Sequence, residues 1–191
     1  MLIKKISAKF SLVYFSIFIV IGINAPFFPL WLSSKGFTER NIAIILAASV
    51  LTKLLANPFF AGLGDKYGNR KIPMLYLSFI SIIILFSLNI FNSLYLITFL
   101  AITSWALFAP LMPLTESLTT TAIKKYNFDY GNTRLWGSVS FIIVAFFGGL
   151  IIEQYGLKYV PILMTIGALF LFLSIVIMPT IPSLPARKKF S

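Results

Sequence analysis

Six long apolar stretches constrain the fold of this chain more than any other feature of its sequence. They lie near residues 11–32, 41–61, 72–91, 94–122, 134–152 and 157–178. Each is long enough to cross the roughly 30 Å hydrocarbon layer of a bilayer as a helix. Helices are expected rather than barrel strands, because backbone groups in lipid must be satisfied within the segment and the apolar runs are unbroken. The sequence therefore predicts an all-α integral membrane protein with six transmembrane helices.

Composition supports a bundle that faces lipid. Apolar residues make up 59% of the 191 positions and charged residues 11%. A soluble domain of this size cannot bury so much apolar surface around one core. The absence of cysteine and histidine excludes disulfides, haem ligation, triads built on histidine, and metal sites that use these two residue types. No phosphate-binding glycine loop is present either. We therefore expect no enzyme, no cofactor and no metal.

Basic residues give the chain a net charge of +11, and their distribution predicts its orientation. Most fall at the two ends or in alternate loops, whereas Lys35, Arg40 and Lys158 fall on the other side. This asymmetry is the positive-inside bias, which predicts that both termini are cytoplasmic. We expect a multi-pass protein of the cell inner (plasma) membrane whose partner is the lipid bilayer. Basic residues at membrane edges also argue against a nucleic-acid partner.

Two short patterns each occur twice in the chain. An acid, Tyr-Gly, a base and a Pro recur at the same spacing in residues 65–73 and 153–161. A Pro-x-x-Pro pair recurs in 25–30 and 109–114. Such repetition indicates a duplicated bundle. Because each copy has three spans, the second enters the membrane from the opposite side, as in the 3+3 inverted repeats of secondary transporters. Since proline bends helices, the first and fourth should bend at matching depth.

This pattern divides the chain into three parts. We expect a cytoplasmic N-terminus at residues 1–10 and a six-helix transmembrane bundle at 11–178. Residues 179–191 contain three prolines and three basic residues. Because proline ends the last helix and prevents a quick restart, this segment is expected to be a cytoplasmic tail or the start of a central linker.

Three ionisable residues lie inside or at the edge of predicted spans: Lys53, Glu116 and Arg134. An ionised group near the bilayer centre costs between about 2.5 and more than 10 kcal/mol, so such groups usually face a wet cavity and pair. We expect Glu116 to pair with Arg134 and to form a substrate site, because arginine can hold a carboxylate with two parallel hydrogen bonds. Lys53 would add a second positive charge or neutralise Glu116. Alternatively, the pair fixes helix packing and Lys53 snorkels to the membrane surface.

Two further residues are candidates for substrate contact. Asn24 precedes the expected bend of the first helix, and its alternative role is a tie between helices. Phe141 lies two helical turns after Arg134 and could stack on a substrate ring. Its alternative is an ordinary lipid-facing position.

The loop at residues 65–71 resembles the signature loop between the second and third helices of the major facilitator superfamily, with Ala61 in place of the usual glycine. In that superfamily the loop steadies one gate conformation. The resemblance therefore implies a gating role for Asp65, Gly68, Arg70 and Lys71. A carboxylate near a helix N-terminus and a base near a C-terminus are also favourable partners of the helix dipole.

Two other segments are more specific. Residues 113–116 (Pro-Leu-Thr-Glu) and 130–139 (Tyr-Gly-Asn-Thr-Arg-Leu-Trp-Gly-Ser-Val) resemble the phenylpropionic acid transporter group, and 179–182 close the last helix in the same manner. The lactose permease group is more distantly similar and has an acid and an arginine at the same separation as Glu116 and Arg134. Those residues hold the sugar there. Its ring-stacking tryptophan corresponds to Phe141, which argues against a galactoside.

The resemblance implies proton-coupled uptake of a small substrate by alternating access between two six-helix halves. A basic residue at the position of Lys53 in the phenylpropionate group favours a small organic acid, such as a phenylpropionate-like carboxylate. The partners implied are the substrate, protons and a missing C-terminal six-helix half, because these families have twelve helices. The alternatives are a sugar or nucleoside proton symporter and a non-transporting membrane subunit or inactive fragment.

Overall fold

The computed structural model describes residues 2–66 and 68–181, and all regular elements in these ranges are helical. They are α1 (Leu2–Ser34), α2 (Glu39–Lys66), α3 (Lys71–Ser87), α4 (Leu94–Phe108), α5 (Leu111–Tyr126), α6 (Tyr130–Tyr155) and α7 (Val160–Ile177), with a short 3-10 turn at Leu157–Tyr159. The prediction of an all-α fold is confirmed.

Five helical segments in the described ranges are long and apolar enough to cross a membrane. They are Ile3–Ser34, Glu39–Gly64, Leu94–Tyr126, Tyr130–Tyr155 and Leu157–Ile177. Helix α3 has 17 residues, which at about 1.5 Å per residue gives a length near 25 Å, less than the hydrocarbon thickness. The six-helix inverted repeat therefore stays a prediction.

The two Pro-x-x-Pro segments have different backbones, although the sequence predicts matching bends. Helix α1 continues through both Pro26 and Pro29. At the second pair α4 ends at Phe108, and α5 begins at Leu111. Proline lacks an N–H and crowds the preceding turn, which explains the interruption at Pro110. The backbone angles of Pro110 stay in the helical region (φ −66°, ψ −19°), so the two helices form one apolar segment.

The repeated loops share one backbone feature, a glycine with a positive φ angle, although only the second loop contains a 3-10 turn in the described residues. Gly68 and Gly156 hold equivalent places in the repeat, and their φ angles are +61° and +92°. Glycine adopts such angles readily because it has no Cβ. Pro73 and Pro161 then lie in the first turns of α3 and α7, where a missing backbone N–H costs no helical hydrogen bond.

Helix α1 forms the centre of the bundle. In the most apolar stretch of α1, 56% of the residues are buried, whereas the corresponding values are 11% for α2 and 17% for α6. Close approach to its neighbours depends on glycine. A Cβ at Gly22 would lie 3.2 Å from the carbonyl oxygen of Phe141 on α6, and one at Gly167 on α7 would lie 2.7 Å from Cγ2 of Ile19. Small residues at helix interfaces allow such packing in membranes.

Candidate functional site

The expected pairing of Glu116 with Arg134 is present. Nε of Arg134 on α6 lies 3.3 Å from Oε1 of Glu116 on α5. The two side chains are 28% and 29% exposed, respectively. The pair therefore lies at the edge of the bundle, where a ligand can reach it, rather than sealed in the core. Its role in substrate binding stays a prediction.

A tight turn places the two helices so that this pair can form. Helix α5 ends before Asn127, which adopts a left-handed conformation with φ +52°. Asp129 then caps α6, and its Oδ1 accepts a hydrogen bond from the backbone N–H of Asn132 at 2.5 Å. Asp caps satisfy donors that the first turn of a helix leaves free. Arg134 follows within the next helical turn.

Tyr130 completes the contacts of the carboxylate. Its hydroxyl donates a hydrogen bond to Oε2 of Glu116 at 2.5 Å, so both carboxylate oxygens are engaged. Sequence reasoning missed this residue. The signal was available, because Tyr130 precedes Arg134 by four positions and such residues share one face of a helix.

Helix α1 contributes an aromatic wall. The guanidinium carbon of Arg134 lies 4.5 Å from the ring centre of Phe18 and 5.3 Å from that of Tyr14. The Tyr14 hydroxyl donates a hydrogen bond to Oγ1 of Thr119 at 3.2 Å, which fixes its ring against α5. Cation–π contacts of this kind stabilise a positive charge in an apolar setting. The sequence did not identify Phe18 or Tyr14 as site residues.

Gly137 provides the space for this arrangement. A Cβ at this position would lie 2.8 Å from Cδ2 of Phe18 and 2.9 Å from Nη1 of Arg134. Either side chain would have to move if the glycine were replaced. Gly137 therefore positions Arg134 against Phe18, and it too was missed from the sequence.

Lys53 has different surroundings from those expected if it neutralised Glu116. Its Nζ lies 4.8 Å from the ring centre of Trp105 on α4. No ion pair joins Lys53 to Glu116 or to another carboxylate in the described part of the chain. The lysine is half-buried on α2. It remains available as a second positive charge.

The two remaining candidates, Asn24 and Phe141, differ in how deeply they are buried. Asn24 is 7% exposed, and its Nδ2 lies 3.9 Å from Sδ of Met164 on α7. This geometry favours the tie between helices over a ligand contact. Phe141 is half-buried, and its backbone packs against Gly22 of α1. Both assignments as substrate contacts stay predictions.

The loop assigned to gating connects three helices. Arg70 donates a hydrogen bond to Oγ of Ser117 on α5. Nζ of Lys71 donates to the carbonyl oxygens of Val176 and Met178, at 2.9 and 2.5 Å. These carbonyls lie at the C-terminal end of α7, where the helix offers them no hydrogen-bond donor, and Lys71 supplies one from the start of α3. The side chain of Asp65 lies outside the described residues, as do 182–191 of the expected tail or linker.

Comparisons with known proteins give a family match and partial relatives. Residues 7–190 match the model of the MFS_1 like family. Over 182 residues, which are 90% of this chain, the sequence is 30% identical to the probable 3-phenylpropionic acid transporter of Escherichia coli. It is 34% identical over 62 residues, 31% of the chain, to the quinolone resistance protein NorA of Staphylococcus aureus. The matches cover 45% and 16% of these two relatives, so the chain spans less than half of their length.

Proposed function

The chain belongs to the MFS_1 like family of the major facilitator superfamily, and we propose that it moves a small organic acid across the inner membrane as half of a transporter. Its long apolar helices and transporter relatives make it a multi-pass membrane protein. The finer proposal is proton-coupled uptake by alternating access, with both termini in the cytoplasm. The observation that carries it is the partly exposed Arg134 guanidinium, held between a carboxylate and an aromatic wall.

The chemistry of this site suits an aromatic carboxylate. A substrate carboxylate can bind the guanidinium through charge-assisted hydrogen bonds. Its ring can then pack against the half-buried Phe18, whose ring centre lies 4.5 Å from the same guanidinium, while the fully buried Tyr14 supports the arginine from behind. Ring pairs add contact energy beyond the area that they bury. The name of the Escherichia coli relative, a probable 3-phenylpropionic acid transporter, supports this substrate class.

We propose that proton coupling arises from competition for Arg134. Glu116 already occupies the guanidinium, at 3.3 Å. A substrate carboxylate that displaces it would bring two negative charges close together, which raises the affinity of one of them for a proton. We propose that Glu116 takes up that proton when the acid binds and releases it when Arg134 pairs with Glu116 again. One proton would then accompany each acid.

Alternating access needs a second body, and α2 and α6 are the helices best placed to contact it. Both are sparsely buried, and they expose large apolar side chains such as Leu55 (79%) and Phe146 (63%). We propose that a second six-helix half packs against these helices and closes a cavity over Glu116 and Arg134. In this proposal the contacts of Arg70 with α5 and of Lys71 with α7 hold one gate conformation.

The test uses the chain co-expressed with the C-terminal half of the Escherichia coli relative. Uptake of labelled 3-phenylpropionate is measured with and without a proton gradient. Replacing Arg134 by Lys keeps the charge but removes the planar fork, so we expect uptake to fall about 100-fold with unchanged membrane insertion. Arg40→Lys is the matched control, because Arg40 is exposed and outside the site.

Normal uptake by Arg134→Lys would remove Arg134 from the site. The substrate panel also separates the alternatives. Uptake of a galactoside or nucleoside in preference to acids would indicate a sugar or nucleoside symporter, since Glu116 and Arg134 can also hold hydroxyl groups. A complex that assembles in the membrane but neither binds nor moves any panel member would indicate a non-transporting subunit.

A further inference from the structure

Two lysines that the sequence places on the opposite side of the membrane from most other basic residues line the same cavity. Lys35 follows the end of α1, and Lys158 precedes the start of α7. They are far apart in sequence, yet both line a cavity of about 350 Å³ at this end of the bundle. The other lining residues that matter here are Trp31, Asn89, Tyr159 and Ile162. The helices that form it are α1, α3 and α7, so it is separate from the Glu116–Arg134 site.

The cavity is positively charged. Its described lining contains no Asp or Glu, and neither lysine forms an ion pair in the described part of the chain. Nζ of Lys35 donates a hydrogen bond to Oδ1 of Asn92 at 2.8 Å and lies 5.7 Å from the ring centre of Trp31. Nζ of Lys158 lies 5.4 Å from the ring centre of Tyr159. Both ammonium groups keep N–H donors that an anion can bind.

Asn89, which lines the cavity, also carries a buried acceptor without a partner. Nδ2 of Asn89 donates to the carbonyl oxygens of Leu85 and Phe86, at 3.2 and 3.1 Å. Its Oδ1 is buried and accepts no hydrogen bond in the structure. A buried polar atom without a partner is costly, but this one is closed off from the open space of the cavity, so the lysines provide the polar contacts for a ligand.

An apolar stripe continues from the cavity along α7. It begins at Ile162, which itself lines the cavity, and its members are 38–49% exposed. They are Ile162, Ile166, Leu169, Leu173 and Val176. Their spacing of three or four places them on one face of the helix, and α7 contains no charged residue. A positive cavity therefore opens onto a long apolar strip.

We propose that this cavity binds the phosphate headgroup of an anionic membrane phospholipid, with its acyl chains along the α7 stripe. The two lysines hold the phosphate. Tyr159, which is half-buried, belongs to a residue class that favours the boundary between headgroups and hydrocarbon. This inference requires only membrane insertion, so it does not depend on the proposed transport activity.

The experiment is lipid titration of the purified full chain in detergent, followed by native mass spectrometry. The probes are phosphatidylglycerol, phosphatidylcholine and inorganic phosphate. We expect one phosphatidylglycerol to remain bound preferentially. The double variant Lys35→Gln/Lys158→Gln should weaken its binding by about tenfold or more, since each basic residue near a membrane surface contributes to attraction of anionic lipid. Lys35→Arg/Lys158→Arg should keep most of the affinity.

The matched control is Lys124→Gln/Lys125→Gln, which removes the same charge from the last turn of α5. It should change phosphatidylglycerol binding less than about twofold. An equal loss in both double variants would show attraction by net charge alone and would overturn the site. Displacement of the lipid by millimolar inorganic phosphate would make it a soluble-anion site and would equally defeat the proposal. If the glutamine variant loses helicity, exposed Lys158→Glu provides the same test alone.

Discussion

Arg134 and Lys53 are basic side chains in two different apolar helices, and the structure surrounds them differently. Arg134 lies 3.3 Å from a carboxylate and contacts two aromatic rings of α1. Lys53 contacts one ring, Trp105 at 4.8 Å, and pairs with no carboxylate in the described part of the chain. The first charge is neutralised within the protein, and the second is left to water or to a partner.

This difference assigns different roles to the two charges. A substrate anion can approach Lys53 without displacing another group, so Lys53 should contribute to affinity and to selection of negative charge. It can bind Arg134 only by displacing Glu116, so Arg134 should couple binding to a change elsewhere in the site. Removing one partner of a partly buried ion pair leaves the other without its counter-charge, which makes the paired charge the more sensitive of the two.

Glu116→Gln should have the largest effect of the three substitutions. It would leave Arg134 without a carboxylate partner, which is the situation of Lys53 in the described part of the chain. Without its internal competitor, Arg134 should bind an aromatic acid several-fold more tightly, while net uptake falls by about 100-fold because the proposed proton acceptor is gone. Binding by the purified complex and uptake into proteoliposomes measure the two effects separately.

Glu153→Gln is the control for this change, because Glu153 is an exposed acid at the end of α6. Glu153→Gln should leave both the binding affinity and the uptake rate unchanged. Parallel losses of binding and uptake in Glu116→Gln would mean that Glu116 only holds α5 against α6, as the packing alternative proposes.

Gly137→Ala tests whether the contact of Arg134 with Phe18, which Lys53 does not share, contributes to substrate binding. The added methyl group would lie 2.8 Å from the Phe18 ring and 2.9 Å from the guanidinium. Overpacking of this kind costs about 1–3 kcal/mol of folding stability. Because the clash must displace Phe18 or Arg134 from its position in the site, we expect affinity for aromatic acids to fall by about tenfold. Gly62→Ala on α2 is the control, because its methyl group would meet nothing within 4 Å. Equal affinity of the two variants would exclude Phe18 from the site.

The sequence predicts the pairing of Glu116 with Arg134 because ionisable groups are so few in the apolar spans. Each has few candidates for a partner, and a short turn brings these two helices together. Tyr14 and Phe18 gave no such signal, since the chain contains 8 tyrosines and 20 phenylalanines. Which of them faces Arg134 depends on how α1 is rotated against α6. That rotation is set by the close contact at Gly22, which only the folded structure shows.

The two repeats show that the backbone, too, can be predicted from the sequence only in part. The positive φ angles of Gly68 and Gly156 follow from local chemistry, so the matching sequences share this feature of the turn. The Pro-x-x-Pro pairs are equally alike in sequence, yet only the second interrupts its helix. Helix α1 packs on several sides at the centre of the bundle, and tertiary contacts of this kind override local propensity. The inverted 3+3 arrangement itself remains a prediction.

Lys53→Gln should have the smallest effect of the three, and it sharpens the contrast with Arg134. An unpaired lysine that attracts the substrate through a partly hydrated route contributes about 1 kcal/mol, so affinity for acids should fall about fivefold. Affinity for the matched neutral amide should stay the same, and uptake should recover at saturating acid because the coupling pair is intact. Lys125→Gln is the control, since Lys125 also lies near a ring, 5.3 Å from the centre of Tyr126. Equal weakening of acid and amide would show that Lys53 only supports Trp105, whereas loss of uptake at saturation would place Lys53 in the coupling step with Arg134.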